Sequence, residues 1–219
     1  IGDLKGRAIA LNNLGILVRH KGDFDTAQKY YQQALDIFTQ IGDRNGRAEA
    51  LTGLGVVAYS QGDYGAAGHY YQEALGIFTQ IGAPNGQANT LNNLGIMARL
   101  QGDNAAARLY YEQALYISTQ IDDLSGQAMA LNNLGVLAQS QEDYVAARQY
   151  FHQALSIYTQ IGELGEQANT LANLGMLAAA QGDLVAAIAY RERSIQLYQQ
   201  LGLPVPDAVQ SAFDSLPAP

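Results

Sequence analysis

The sequence predicts an all-α solenoid, and three observations carry that prediction. A Leu-Gly pair recurs every 40 residues, at Leu14-Gly15, Leu54-Gly55, Leu94-Gly95, Leu134-Gly135 and Leu174-Gly175. Thr-Gln-Ile recurs with the same period, at Thr39-Gln40-Ile41, Thr79-Gln80-Ile81, Thr119-Gln120-Ile121 and Thr159-Gln160-Ile161. Within each block, apolar and small residues are spaced by three and four, the period of an amphipathic helix. A constant period in this range marks units that bury their apolar faces only against their neighbours. The units are read as 1–40, 41–80, 81–120, 121–160 and 161–200, with 203–219 left as a cap and tail.

Each unit reads as two helices joined by a tight turn. In the first helix of unit one, Ala8, Leu11, Leu14, Gly15 and Val18 form the core-facing stripe, which halts at Lys21-Gly22. Asp23 then offers a side-chain oxygen to the free amides of the second helix. That helix carries Phe24, Ala27, Tyr31, Ala34, Leu35, Phe38 and Ile41 on one stripe. Gly42 ends it, and Asp43 is placed to cap the next first helix. Asp63, Asp103, Asp143 and Asp183 repeat the inner cap, and Gly62, Gly102 and Gly182 repeat the turn. The fourth unit has Glu142 there instead. It is expected to leave the left-handed conformation that Gly fills cheaply, making that turn different or strained. After the fifth unit, Leu203-Pro204-Val205-Pro206 stops the last helix, because proline cannot continue it. Asp207 then starts a short helix of Ala208, Val209, Ala212, Phe213 and Leu216, read as a terminal cap. No comparable cap precedes Ile1. That open face suits lost repeats, a bound molecule or end-to-end self-association.

Composition excludes several function classes. The chain has no Cys, which removes disulfides, thiol catalysis and Cys-based metal sites. No apolar run approaches the roughly 20 residues that span a bilayer, so no membrane association is expected and the protein is expected to be cytoplasmic. The start at Ile1, without Met, fits a domain excised from a longer protein. A net charge of −8 argues against nucleic acid, which demands clustered Lys and Arg. The charge is uneven, +1 over residues 1–50 and −9 over the remainder, as on a solvated acidic surface. His20, His69 and His152 occupy different places in their repeats and form no metal pair. There is no phosphate-binding Gly-rich loop, no Gly-x-Ser-x-Gly elbow and no HExxH. The carboxylates are explained by capping. We therefore expect no catalysis, no metal and no cofactor.

The order Leu11, Leu14, Gly15, Val18, Ala27, Tyr31, Ala34 resembles the tetratricopeptide repeat signature of large, Leu-Gly and large residues followed by Ala, aromatic and Ala. Leu11 replaces the usual Trp and Thr39 the usual Pro, so the second helix can continue to Gln40 or Ile41. Gly42-Asp43-Arg44-Asn45-Gly46 and Asn93-Leu94-Gly95 resemble the forty-residue repeats of the Pins/LGN polarity adaptors. Leu131-Asn132-Asn133-Leu134 resembles kinesin light chain, and bacterial signalling proteins carry similar arrays. The resemblance covers about residues 1–202. It implies a right-handed superhelix of five helix-turn-helix units whose first helices line a concave groove. It also implies a protein-interaction module inside a larger signalling or scaffold protein.

Stepping 100° per residue from Ile16 places Lys5, Ile9, Asn12, Asn13, Arg19 and His20 within about 60° of it, on the expected groove face. Two ladders follow. One is amide-rich: Asn12/Asn13, Asn92/Asn93, Asn132/Asn133 and Asn173, with Asn89 and Asn169 one turn earlier. The other is apolar: Ile16, Val56, Ile96, Val136 and Met176. The second unit interrupts the amide ladder with Thr52-Gly53 and supplies Glu49 and Tyr59. Mid-helix Asn pairs are poor for propensity and need a reason. Either the amides grip the backbone of an extended or partly helical ligand, or they bridge adjacent first helices and set repeat spacing. The first role suits the groove-central Asn12, Asn92 and Asn132; the second suits Asn13, Asn93, Asn133 and Asn173, nearer the edge. The expected ligand contacts are Asn12, Ile16, Arg19, Asn89, Asn92, Ile96, Arg99, Asn132, Val136, Gln139, Asn169 and Met176. Lys5, Arg19 and Arg99 favour acidic ligand residues near the first three repeats, with Glu49 opposing. They lack the Lys-Asn spacing that clamps a terminal carboxylate, so a chaperone-tail ligand is disfavoured. The column Tyr30, Tyr70, Tyr110, Tyr150 and Tyr190 has too few basic neighbours for base stacking and reads as inter-repeat packing. The alternative to a peptide binder is a self-assembling spacer whose repeat ends stack.

Overall fold

The computed structural model describes residues 3–206. Within them, ten α-helices follow one another: α1 (Leu4–His20), α2 (Phe24–Ile41), α3 (Arg44–Ser60), α4 (Tyr64–Ile81), α5 (Pro84–Leu100), α6 (Asn104–Gln120), α7 (Leu124–Ser140), α8 (Tyr144–Ile161), α9 (Leu164–Ala180) and α10 (Leu184–Gln200). No strand occurs among the described residues, and the fold is the all-α, helix-pair solenoid that the period predicts. The repeats gather into two compact bodies, one up to residue 117 and one from residue 118 on, and from here on the first and second unit mean these two bodies rather than single repeats. The expected terminal helix at 207–216 lies outside the described residues.

The helix boundaries are set by local chemistry. Asp23, Asp63, Asp103, Asp143 and Asp183 each accept the backbone N–H three residues on, at 2.9–3.1 Å. Asp3, Asp43 and Asp123 do the same at the outer junctions. Ala83 and Glu163 make no such bond; α5 starts instead on Pro84, whose missing N–H costs nothing at a first helical position. Glu142 corrects an expectation: it stays in the left-handed region at φ 62°, where its counterparts Gly62 and Gly102 have φ 82°. The turn geometry is imposed by the flanking helices, so Glu142 carries the strain rather than escaping it.

In unit one, Ala27 and Tyr31 of α2 pack with Leu54 and Val57 of α3, and Ala67 and Tyr71 of α4 with Leu94 and Met97 of α5. In unit two, Ala147 and Phe151 of α8 pack with Leu174 and Leu177 of α9. Tyr70, Tyr150 and Tyr190 are half-buried against these same clusters, as inter-repeat packing requires. The Leu-Gly glycines make these crossings close. A Cβ added at Gly95 would lie 2.4 Å from the Tyr111 ring, and one at Gly135 would lie 2.6 Å from Phe151. Leu14 departs from the expected core. It is 41% exposed where its counterpart Leu54 is 1% exposed, because Ala27 and Tyr31 cover α3 and no described helix covers that face of α1. In unit two, Val205 folds back onto Ala168, Leu171, Leu197 and Tyr198 after α10 ends. No helix among the described residues is long and apolar enough to cross a membrane.

Candidate functional site

The first helices of unit one share a face, and that face is a furrow of about 650 Å³. Asn12, Asn13, Ile16 and Arg19 line it from α1, Asn45, Glu49, Thr52 and Val56 from α3, and Asn85 and Asn89 from α5. Tyr31 and Phe78, from α2 and α4, also line it. Asn12, Ile16, Arg19 and Asn89, expected on the groove face, are thus brought together. Asn45 and Asn85 were not among the expected contacts. The signal for them is their place in the repeat, which matches that of Lys5, itself on the groove face by angle.

Asn12 is the distinctive group here. It is 9% exposed, and its Oδ1 accepts no hydrogen bond. A buried carbonyl left without a donor costs about 1–3 kcal/mol. Arg19, half-buried, stands beside the Tyr31 hydroxyl, and its Nη2 is 3.2 Å from His20 Nε2. Burial pushes the Tyr31 hydroxyl up from its ordinary pKa, with Arg19 opposing in part, so it stays a neutral donor and acceptor. Arg99 stands to Tyr111 in the same relation. Across the furrow, Glu49 accepts from Asn45 Nδ2 at 2.7 Å. The Thr52 hydroxyl turns inward to the Ala48 carbonyl at 2.9 Å. The furrow therefore offers a cation on one wall, an anion on the other and amides between them. Lys5 corrects a further expectation. It does not stand free for acidic ligands, since its Nζ is 2.8 Å from Asp43 Oδ2. This ion pair, with the Gly46 amide, holds the Asp43 carboxyl below its usual range and raises Lys5.

The second unit uses its amides differently. Asn132 Oδ1 accepts from Asn173 Nδ2 at 3.1 Å, which ties α7 to α9. Asn169 Oδ1 accepts from the Tyr198 hydroxyl, and its Nδ2 is 3.4 Å from Glu166 Oε2. The residue that would answer Asn12 as Asn173 answers Asn132 is Gly53, which has no side chain. Asn132 and Asn169, expected to grip a ligand, thus each spend their Oδ1 on an internal bond. Asn92, at the same place in its repeat as Asn12, is 0% exposed and is not among the furrow-lining residues. Ile96 packs against the Ala67–Leu94 cluster, Val136 against the Ala138–Leu174 cluster and Met176 against the Ala168–Leu197 cluster. The apolar ladder thus serves the core with one edge and solvent with the other. Gln139 is half-buried on α7. No group of three or more His, Asp or Glu among the described residues is placed to hold a metal ion.

Comparison with known proteins adds to this geometry. The family model described as tetratricopeptide repeat matches residues 6–80, 54–120 and 126–200. No curated protein matches the chain. Among solved structures, BtubC (BKLC) from P. vanneervenii is 25% identical, with 93% of this chain and 84% of that chain covered and a TM-score of 0.75. A Rap protein complexed with Competence and Sporulation Factor is 19% identical, covering 94% of this chain and 57% of that chain at a TM-score of 0.83. A signal transduction ATPase of the STAND class with a tetratricopeptide repeat sensor, from Pyrococcus horikoshii, is 16% identical, covering 96% and 32% at a TM-score of 0.74. The last two likenesses speak to the fold alone, and the chain spans only part of each of those proteins.

Proposed function

The chain belongs to the tetratricopeptide repeat family, a protein-interaction repeat, and we propose that the furrow of its first unit holds an extended segment of a partner protein. The observation that carries this reading is the buried, unbonded Oδ1 of Asn12 among the furrow-lining residues. That oxygen is shielded from solvent, so a rotation of the Asn12 side chain brings it to a backbone N–H of the ligand, which supplies the missing donor. Asn13, Asn85 and Asn89 each bring one amide donor pair and one acceptor to the same backbone. Ile16 and Val56 take an apolar side chain. Arg19 and Glu49 set direction, with an acidic ligand residue toward α1 and a basic one toward α3. The module works inside a larger signalling or scaffold protein. The STAND ATPase, whose repeats form a sensor within a longer chain, and the Rap protein with its bound factor are solved examples of the fold in such settings.

Random extended peptides displayed against the whole chain test the proposal. Captured peptides should protect or shift the amide resonances of Asn13, Ile16, Asn85 and Asn89. Capture confined to the outer faces of α2 and α4 would overturn it. One observation favours the spacer reading. Leu14 and Leu17 are 41% and 58% exposed on a face of α1 whose counterpart in α3 is covered by Tyr31. Against it, α10 carries Arg191 where α2 carries Tyr31, so a second copy's last helix presents a different surface. Sedimentation equilibrium separates the two readings: stacking requires mass to grow with concentration, while the furrow proposal requires none.

A further inference from the structure

The outer face of α6 differs from that of every other second helix. At two outward positions, seven residues apart, it carries Leu109 and Tyr116, which are 54% and 66% exposed. The other repeats have Lys29, His69, Gln149 and Ala189 at the first position and Asp36, Gly76, Ser156 and Gln196 at the second. The chain is its own control. The repeat fold needs neither a leucine nor a tyrosine there, so packing does not explain them. The two side chains flank a hollow of about 550 Å³ on unit one, whose lining includes Leu75 of α4, Leu91 of α5 and Ile117 of α6. Glu112 stands on its lining between Leu109 and Tyr116, and no Lys or Arg lines it among the described residues.

We infer that this hollow is a second docking surface, distinct from the furrow, and that its occupant is a basic amphipathic helix of a partner protein. The spacing argues for a helix. Leu109 and Tyr116 are two turns apart, about 10.5 Å along the axis, the interval at which a docked helix repeats its apolar anchors. The lining is mostly apolar, so two or three Leu-sized side chains leave water on docking. The charge argues for a base. Glu112 is the charged group lining the hollow, so a Lys or Arg beside the apolar stripe finds a partner. A second copy of this chain docking the same patch would instead bring two Glu112 carboxylates together. The inference does not rest on the furrow reading.

The probe is a fluorescein-labelled, alanine-based helix with leucines at three-, four- and seven-residue spacing and a flanking lysine. Its controls replace that lysine with glutamate or put a proline at mid-helix. The variant Leu109→Gln/Tyr116→Ser uses the residues that the fourth repeat carries on the same face, so the fold is kept, and circular dichroism verifies this. Anisotropy titration of the full chain should show binding of the lysine probe. Weakening by about tenfold or more is expected in the double variant. Glu112→Gln should erase the preference for the lysine probe over the glutamate probe. Asn12→Ala should leave the titration unchanged. Equal binding by the double variant, preference for the proline or glutamate probe, or no wild-type binding at millimolar peptide would each overturn the inference. So would a wild-type dimer abolished by the double variant, since a second copy would then be the occupant.

Discussion

In the first unit Asn12 holds its Oδ1 unbonded on the lining of a furrow; in the second, Asn132, at the same place in its repeat, spends its Oδ1 on Asn173. The helices around them are alike. The difference lies across the gap, where one unit has Gly53 and the other Asn173. An amide with an answering amide becomes a strut between first helices. One facing a glycine keeps its acceptor for something else. A repeat thus fixes where a side chain stands, and its neighbour in the next repeat decides what that side chain does.

The frame itself should respond alike in both units. Gly95→Leu and Gly135→Leu each drive a side chain into an aromatic ring and should cost about 1–3 kcal/mol or more in urea unfolding. The ordinary rule for glycine in a helix says the reverse, a gain of about 1 kcal/mol. A rise in stability at either site would break the shared close crossing. The polar sites should respond unlike. Asn132→Ala deletes a made hydrogen bond and should lower stability by about 0.5–1.5 kcal/mol, whereas Asn12→Ala deletes an unsatisfied oxygen and should be neutral or stabilising. Equal losses would erase the distinction between the units.

Smaller effects sharpen the comparison at the turns. Glu142 in the second unit stands in the left-handed region that Gly62 and Gly102 occupy in the first. Glu142→Gly should therefore stabilise by about 0.5–1 kcal/mol, net of the entropy glycine adds to the unfolded chain. The reverse change, Gly102→Glu, should destabilise, and thermal melts of the pair check both signs. The smallest effect is at Asp43, whose carboxyl is held below its ordinary value by Lys5 and the Gly46 amide. Its folded value lies below its unfolded one. The stability it adds is thus fully present above the ordinary carboxylate pKa, about 3.9, and is lost as pH falls through the folded value. Asp43→Asn keeps a capping oxygen and loses the ion pair, so its melting temperature should fall less steeply between neutral and acid pH than that of the wild type.

The helices, caps and close glycine crossings were legible because each depends on residues a few positions apart or one period apart. Leu14 was misplaced because burial depends on a neighbour, and α1 has no described helix over that face. Lys5 was misread for a similar reason: its partner, Asp43, already had a capping role, and one carboxylate can serve both. The groove face was legible by angle, which gathers Asn12, Ile16, Arg19 and Asn89. The angular reading failed at Asn92, which shares its place in the repeat with Asn12 yet is fully buried, since burial depends on the neighbouring helices and not on angle alone. The Thr52-Gly53 interruption is visible in the sequence only as a break in a ladder. In the structure it is what leaves Asn12 without a partner.

The most direct test is the affinity of a furrow-mapped peptide for Asn12→Ala set against that for Asn132→Ala, both shown to keep their helicity. Losing the Asn12 acceptor should weaken binding by roughly tenfold, while losing the Asn132 strut should leave it within about twofold once stability is matched. Unchanged affinity in Asn12→Ala, or a larger loss in Asn132→Ala, would contradict the account.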